Sequence, residues 1–155
     1  MTYEKTKVLL NQAVADLSQL SALIHQIHWY MRGPGFLSLH PKMDEYRDAI
    51  EGQLDEISER LITIDGAPFS TLTEFASNSK ITLEKTDYSV STQERFAALL
   101  GAFRYMIGLY DEALAASDAE GDDVTNDIFV GGKAWFEKQI WMLQAEIGQA
   151  PGIAK

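Results

Sequence analysis

The sequence has no cysteine among its 155 residues and only four prolines. Without cysteine there is no disulfide framework, no thiolate metal site and no cysteine nucleophile. No apolar run approaches the roughly 20 residues that cross a bilayer, and the first residues lack the apolar core of a signal peptide. We therefore expect a cytoplasmic protein without a membrane partner, and any metal site must use histidine and carboxylate ligands.

Basic residues are also scarce, since 13 lysines and arginines face 23 aspartates and glutamates. The formal net charge is −10 and the isoelectric point is about 4.6. Such a chain repels nucleic acid over most of its surface and favours the uptake of cations, although solubility alone explains the charge equally well. The length suits one domain with its own core, so residues 1–155 are predicted to form a single domain.

Apolar residues recur at steps of three and four, which is the period of an α-helix. The break at residues 33–35 ends the first helix, and Pro41 suits the first turn of the second. Gly66 is placed to end the second helix, while Ser91 and Glu94 form a capping-box pattern at the start of the third. The predicted long helices cover residues 5–31, 39–64, 91–118 and 123–148.

The long connection between the second and third long helices is predicted to carry a short helix over residues 71–76 and a loop over residues 77–89. Four long helices with one such crossover predict an all-α, ferritin-like four-helix bundle. The last helix has one stripe that suits the core, formed by Phe129, Phe136, Ile140, Leu143 and Ile147. Its second stripe, formed by Ile128, Trp135 and Met142, fits either a partner chain or a wide core-facing surface.

All three histidines of the chain, His25, His28 and His40, lie in one window of sixteen residues. Carboxylates follow at helical spacing, at Asp44, Asp48, Glu51, Asp55 and Glu59. Imidazole and carboxylate together form a ligand set that suits iron, zinc or manganese. An acidic stripe alone is usually a solvated helix face, but three histidines directly before it favour a metal site.

Helix geometry divides these ligands into two half-sites. Asp44 and Asp55 differ by about 20° around the helix but lie about 16 Å apart along it, so one ion cannot bind both. His28 and His40 can meet Asp44 at one end, while Asp55 and Glu59 meet at the other. A two-fold axis across the second helix would bring each half-site to its complement in a second chain. Because no Glu-x-x-His motif is present, a di-iron centre within one chain is not expected.

The sequence contains one long gapped pattern: His28-Trp29, the turn Arg32-Gly33-Pro34-x-Phe36, His40-x-x-x-Asp44 and Asp55-x-x-x-Glu59. This pattern closely resembles the Dps family of mini-ferritins, and most of all the Dps-like peroxide resistance proteins of streptococci. A segment of the last helix, residues 141–145, also resembles the family, so the similarity covers nearly the whole chain.

The resemblance implies a ferroxidase that assembles into a hollow shell of twelve subunits. Ferrous iron would be oxidised, preferably by hydrogen peroxide, between two-fold-related subunits and stored inside as ferric mineral. His28, His40 and Asp44 would come from one subunit and Asp55 and Glu59 from its mate, in agreement with the half-sites deduced from helix rise. Zinc is able to replace iron on these ligands.

Two further groups of residues follow from the resemblance, each with a plainer alternative. Trp29 would intercept stray radicals beside the metal, or its ring simply packs against the protein. His25 matches no ligand of the family, and a structural role is expected for it. Asp127, and less clearly Asp122 and Asp123, would line an iron-entry pore. Acids also cap helices and complement the helix dipole at this position, and both roles are compatible.

Two other functions are alternatives to a ferroxidase. Some Dps relatives compact DNA, which requires a basic mobile tail, but here the N-terminal segment offers only Lys5 and Lys7 and the C-terminus only Lys155. We therefore do not expect nucleic-acid binding. A protein that binds zinc or manganese without turnover would use the same five ligands.

Overall fold

Five helices make up the computed structural model, which describes residues 2–153, and no strand occurs in that range. They are α1 (Glu4–Tyr30), α2 (Phe36–Thr63), α3 (Leu72–Asn78), α4 (Thr92–Glu120) and α5 (Asp123–Glu146). The long helix α1 packs against α2 and α4, and α4 packs against α5, while the short α3 lies in the crossover against α1. The predicted all-α four-helix bundle is therefore confirmed. None of these helices has the length and hydropathy of a membrane span.

Apolar side chains from all four long helices fill the centre of the bundle. Burial of each large side chain contributes about 1.5–3 kcal/mol of apolar transfer free energy. The predicted core stripe of α5 is correct for four residues, but Ile147 is 41% exposed because α5 ends one residue before it. The largest fully buried side chains include Tyr110, Phe103, Phe129, Phe136, Leu10, Leu17, Leu20 and Ile24.

The second stripe of α5 belongs partly to the core. Trp135 is half-buried and meets the rings of Tyr46 and Phe103 edge-on, with centroids 5.8 and 5.7 Å away. Edge-to-face contacts of this kind add to the stabilisation from area burial alone. Ile128 also packs against the core, whereas Met142 is 38% exposed. A wide core-facing surface thus accounts for two of the three residues.

Helix α2 begins at Phe36, three residues earlier than the sequence predicts, so Pro41 lies inside the helix and not in its first turn. Proline in a helix interior removes a backbone donor. At the other end, the N–H groups of Asp65 and Gly66 donate to the carbonyls of Ile62 (3.0 Å) and Leu61 (2.7 Å), which is a Schellman arrangement. The left-handed residue there is Asp65, with φ 62°, and not the predicted glycine.

Capping boxes start two helices. Ser91 and Glu94 cap α4 as predicted, and Thr71 and Glu74 cap α3 in the same way. The crossover is held to the bundle by the fully buried carboxylate of Asp16. This carboxylate accepts hydrogen bonds from the Tyr105 hydroxyl (2.6 Å), the Ser79 hydroxyl (2.8 Å) and the Lys80 N–H (2.8 Å).

Candidate metal site

The end of α1 and the start of α2 bring His28 and His40 together, because the turn at residues 33–35 reverses the chain. The two imidazole rings stack with their centroids 3.7 Å apart and their planes 11° from parallel. Nδ1 of His28 lies 2.7 Å from the carbonyl oxygen of His40, and Nδ1 of His40 lies 2.9 Å from the carbonyl oxygen of His28. A carbonyl oxygen only accepts, so both Nδ1 atoms carry the proton and donate.

This reciprocal pair of hydrogen bonds fixes the tautomer of both rings. In a neutral imidazole with Nδ1 protonated, Nε2 holds the free lone pair. Hydrogen bonds from the other ring nitrogen to a backbone carbonyl are the usual way in which proteins orient metal-binding histidines. His28 and His40 therefore present two Nε2 lone pairs before any ion arrives.

Asp44 lies one helical turn after His40 and is the third residue of the predicted histidine half-site. Its Oδ1 atom is 3.6 Å from Nε2 of His28, which is too long for a hydrogen bond. The Asp44 side chain is 56% exposed and that of His28 only 12% exposed, so the carboxylate faces outward from a partly enclosed imidazole. The gap suits an ion that lies about 2.1 Å from each donor atom.

The acidic half-site lies further along the same helix. Asp55 and Glu59 are both exposed and are separated by one turn of α2. Across residues 2–153, no three histidine, aspartate or glutamate side chains lie together in a geometry that could hold a metal ion. The structure brings His28 and His40 together and places Asp44 near His28. Asp55 and Glu59 lie further along α2, and the shared five-ligand site stays a prediction.

Aromatic rings extend the histidine pair on both sides. Trp29 is 60% exposed and stacks on His25, with centroids 4.0 Å apart, so it does not belong to the core of this chain. Burial, followed by the charge of Arg47, lowers the pKa of His25. On the other side, Phe36 stacks on His40 with centroids 4.8 Å apart. Sequence reasoning did not assign a role to Phe36, although its i, i+4 spacing from a ligand places both on one helix face.

The acidic segment at the start of α5 carries the three predicted pore residues. Asp122 is 2% exposed, accepts a hydrogen bond from the Thr125 N–H (3.1 Å) and pairs with Arg60 at 2.7 Å. Burial raises the pKa of Asp122, but the hydrogen bonds from Thr125 and Arg60 outweigh it and hold the pKa below its ordinary value. The capping alternative therefore accounts for Asp122, whose carboxylate is enclosed and already bonded to Thr125 and Arg60. Asp123 and Asp127 are exposed and remain predictions.

Basic residues near the N-terminus do not form an extended arm. Helix α1 begins at Glu4, so Lys5 and Lys7 lie in its first turns. The backbone N–H groups of Lys5 and Thr6 donate to the Glu120 carboxylate, at 3.0 and 2.9 Å. This contact ties the start of α1 to the end of α4. The remaining basic residue of the sequence argument, Lys155, lies outside the described residues.

Comparisons with known proteins agree with this architecture. The family described as "Ferritin-like domain" matches residues 7–153. A protein of Streptococcus suis (strain P1/7) named DNA protection during starvation protein is 58% identical over 148 residues, covering 96% of this chain and 86% of that relative. The X-ray structure of Dps from Listeria monocytogenes has a TM-score of 0.92 at 41% identity, covering 95% of this chain and 96% of the other. The structure of Dps from Listeria innocua soaked with cobalt has a TM-score of 0.93 at 40% identity, covering 97% of this chain and 98% of the other. The chain belongs to the Dps family of ferritin-like proteins.

Proposed function

We propose that this protein oxidises Fe(II), preferably with hydrogen peroxide, and stores the product as ferric mineral inside a shell of twelve chains. Each oxidation site lies between two chains: His28, His40 and Asp44 come from one, and Asp55 and Glu59 come from its two-fold mate. Membership of the Dps family supports the assembly and the iron chemistry. The cytoplasm is the proposed location.

One observation carries the proposal. The mutual hydrogen bonds between the His28 and His40 rings and each other's backbone carbonyls leave both Nε2 atoms free, and Nε2 of His28 lies 3.6 Å from Asp44. Two imidazoles that only pack would not need matched tautomers. This arrangement instead orients two ligands at no further entropic cost when an ion binds.

The donor set suits a reaction that starts from Fe(II) and ends at Fe(III). Imidazole adds affinity for Fe(II), whereas carboxylates stabilise the harder Fe(III) product. Two Fe(II) ions each give one electron to one peroxide molecule, the O–O bond breaks, and both oxygens leave as hydroxide or water. Because peroxide takes up both electrons at one site, the release of hydroxyl radicals is limited. Trp29, exposed beside His28, is placed to give an electron to any radical that escapes.

The charge of the chain supports iron entry. Each chain has a formal net charge of −10, so an assembled shell attracts cations from solution and raises their local concentration. Asp123 and Asp127, exposed at the start of α5, are the proposed pore residues. Asp122 has no part in this proposal, because Arg60 and Thr125 occupy its carboxylate.

Mixing the protein with Fe(II) without oxygen, and then adding peroxide, tests the proposal. Ferric absorbance should rise rapidly in the wild type, and at least about tenfold more slowly in His28→Ala and Asp55→Ala, since each lacks one direct ligand. Glu84→Ala, which removes an exposed carboxylate from the crossover, is the matched control and should keep the wild-type rate. Wild-type rates in both ligand variants, or a bound zinc or manganese ion with no ferric signal, would overturn the ferroxidase assignment.

The name of the Streptococcus suis relative points to protection of DNA. We infer that this chain protects DNA by removing iron and peroxide and not by binding it, because its formal net charge of −10 repels nucleic acid. A gel shift at low salt, where electrostatic binding is strongest, should show free DNA throughout. A retarded band at low protein concentration would instead support the DNA-compacting alternative.

A further inference from the structure

We propose that Phe36 is a positioning residue that holds the His40 imidazole in its metal-binding orientation and thereby sets the affinity of the histidine half-site. This inference rests on the proposed function, because it concerns the same site. No direct contact between Phe36 and an ion is involved.

Three rings form a continuous stack at the start of α2. The Phe36 ring lies 4.8 Å from the His40 ring at an angle of 25°, and the His40 ring lies 3.7 Å from the His28 ring at 11°. The middle ring, His40, therefore stacks against both of its neighbours. Stacked aromatic pairs of this kind are stabilised beyond the burial of area alone.

The position of Phe36 is set by the turn that precedes it. Gly35 occupies the N-cap of α2 with φ 87°, a conformation that residues with a Cβ adopt only with strain. The Phe36 N–H donates to the carbonyl oxygen of Gly33 at 3.1 Å, so the first helical residue is fixed before the helix continues. One turn later comes His40, and i, i+4 neighbours lie on the same helix face.

The consequence for the site follows from the single hydrogen bond that orients His40. Its Nδ1–H donates to the His28 carbonyl at 2.9 Å, and this bond decides where Nε2 points. With Phe36 in place, one face of the His40 ring is shielded from water and the ring cannot tilt away. Without the Phe36 ring, the imidazole gains rotational freedom and water competes for the Nδ1 proton. Loss of such an outer contact typically lowers metal affinity 10- to 100-fold.

Phe36 is also half-buried against the core, so a purely structural role must be separated from a positioning role. The comparison uses Phe36→Leu, which keeps apolar volume but removes the aromatic ring, and Phe36→Tyr, which keeps the ring. Phe75→Leu, at a half-buried ring on the distant helix α3, is the control for the loss of an aromatic core contact. Leu37→Ala, at an 87% exposed side chain, is the control for a change within the same turn.

Cobalt(II) is the probe, because its visible absorption reports both its affinity and the geometry of its ligands. We expect Phe36→Leu to weaken cobalt binding at least about tenfold and to shift the absorption bands. We also expect a rise in the Fe(II) concentration that gives half the maximal oxidation rate, with a smaller change in the maximal rate itself. Phe36→Tyr, Phe75→Leu and Leu37→Ala should bind cobalt within about twofold of the wild type.

Cobalt binding by Phe36→Leu that equals wild-type binding in affinity and spectrum would overturn the inference. Equal losses of cobalt affinity in Phe36→Leu and Phe75→Leu would also overturn the inference, because they would show an effect of protein stability alone. Failure of the proposed function looks different. In that case wild-type protein binds cobalt no better than His28→Ala, whatever residue stands at position 36.

Discussion

At the scale of single residues, Asp122 shows how one carboxylate serves three contacts. It caps the N-terminus of α5, accepts from the Thr125 hydroxyl and pairs with Arg60 on α2. The side chains of Asp122 and Arg60 are only 1% and 14% exposed, so little water screens the pair. Removing one member of such a pair leaves the other charge buried without compensation.

We predict that Asp122→Ala lowers the free energy of unfolding by about 3 kcal/mol, because a cap and a partly buried ion pair are lost together. Thermal unfolding of the variant and the wild type at equal protein concentration measures the effect. Asp123→Ala, which truncates the adjacent exposed carboxylate, should stay within about 0.5 kcal/mol of the wild type. Equal midpoints for Asp122→Ala and wild type would show that the ion pair contributes nothing.

The same carboxylate gives a pH dependence with a definite sign. Hydrogen bonds from Thr125 and Arg60 hold the pKa of Asp122 below its ordinary value of 3.8 despite burial. A lowered pKa in the folded state contributes stability that is present above the unfolded pKa and is lost as pH falls through the folded pKa. We predict that the difference in unfolding midpoint between wild type and Asp122→Asn is constant from pH 7 to about 5 and shrinks below about pH 4. A difference that grows on acidification would contradict this.

At the scale of helices and turns, the end of α2 depends on the absence of a side chain at position 66. A Cβ on Gly66 would lie 2.2 Å from Cδ1 and 2.9 Å from the carbonyl oxygen of Leu61. The Gly66 N–H donates to that same carbonyl, so the close approach is required for the turn. The sequence identified the right glycine for the end of the helix, but the reason is crowding and not a positive φ.

Gly66→Ala should therefore destabilise the protein by about 1–3 kcal/mol, because the added carbon must displace Leu61 or break the turn. Gly101, inside α4, is the matched case, since a Cβ there meets nothing within 4 Å. Gly101→Ala should raise stability by about 0.5–1 kcal/mol through better helix propensity. Urea unfolding of both variants measures these changes in the free energy of unfolding. A change in the same direction for both variants would refute the crowding argument.

At the scale of the whole molecule, the proposed site belongs to no single chain. The histidine half-site is assembled within one subunit by the turn between α1 and α2, whereas Asp55 and Glu59 lie exposed further along α2. Helix rise places Asp44 and Asp55 about 16 Å apart, which is several times the reach of one ion. The proposed function therefore makes oxidation activity depend on subunit pairing.

Mixing subunits tests this linkage directly. A pair formed by one Asp55→Ala chain and one His28→Ala chain has one site with both defects and one intact site. Random exchange of equal amounts should thus restore about a quarter of the wild-type rate, although each parent is nearly inactive. Native mass spectrometry confirms that mixed pairs are present, and parental activity in confirmed mixed pairs would exclude sharing of ligands between chains.

The sequence by itself determined the helices and the crossover, and it predicted the two half-sites. These depend on local physics: apolar period, capping residues such as Ser91 and Glu94, and the fixed rise between Asp44 and Asp55 along one helix. Only the tertiary structure decided which of these side chains already form ion pairs or hydrogen bonds within the chain. Asp122 meets Arg60 across 62 residues of sequence, and His28 and His40 exchange hydrogen bonds with backbone carbonyls across 12 residues. Such contacts arise only when separate helices pack, because no local pattern encodes where a distant donor will lie.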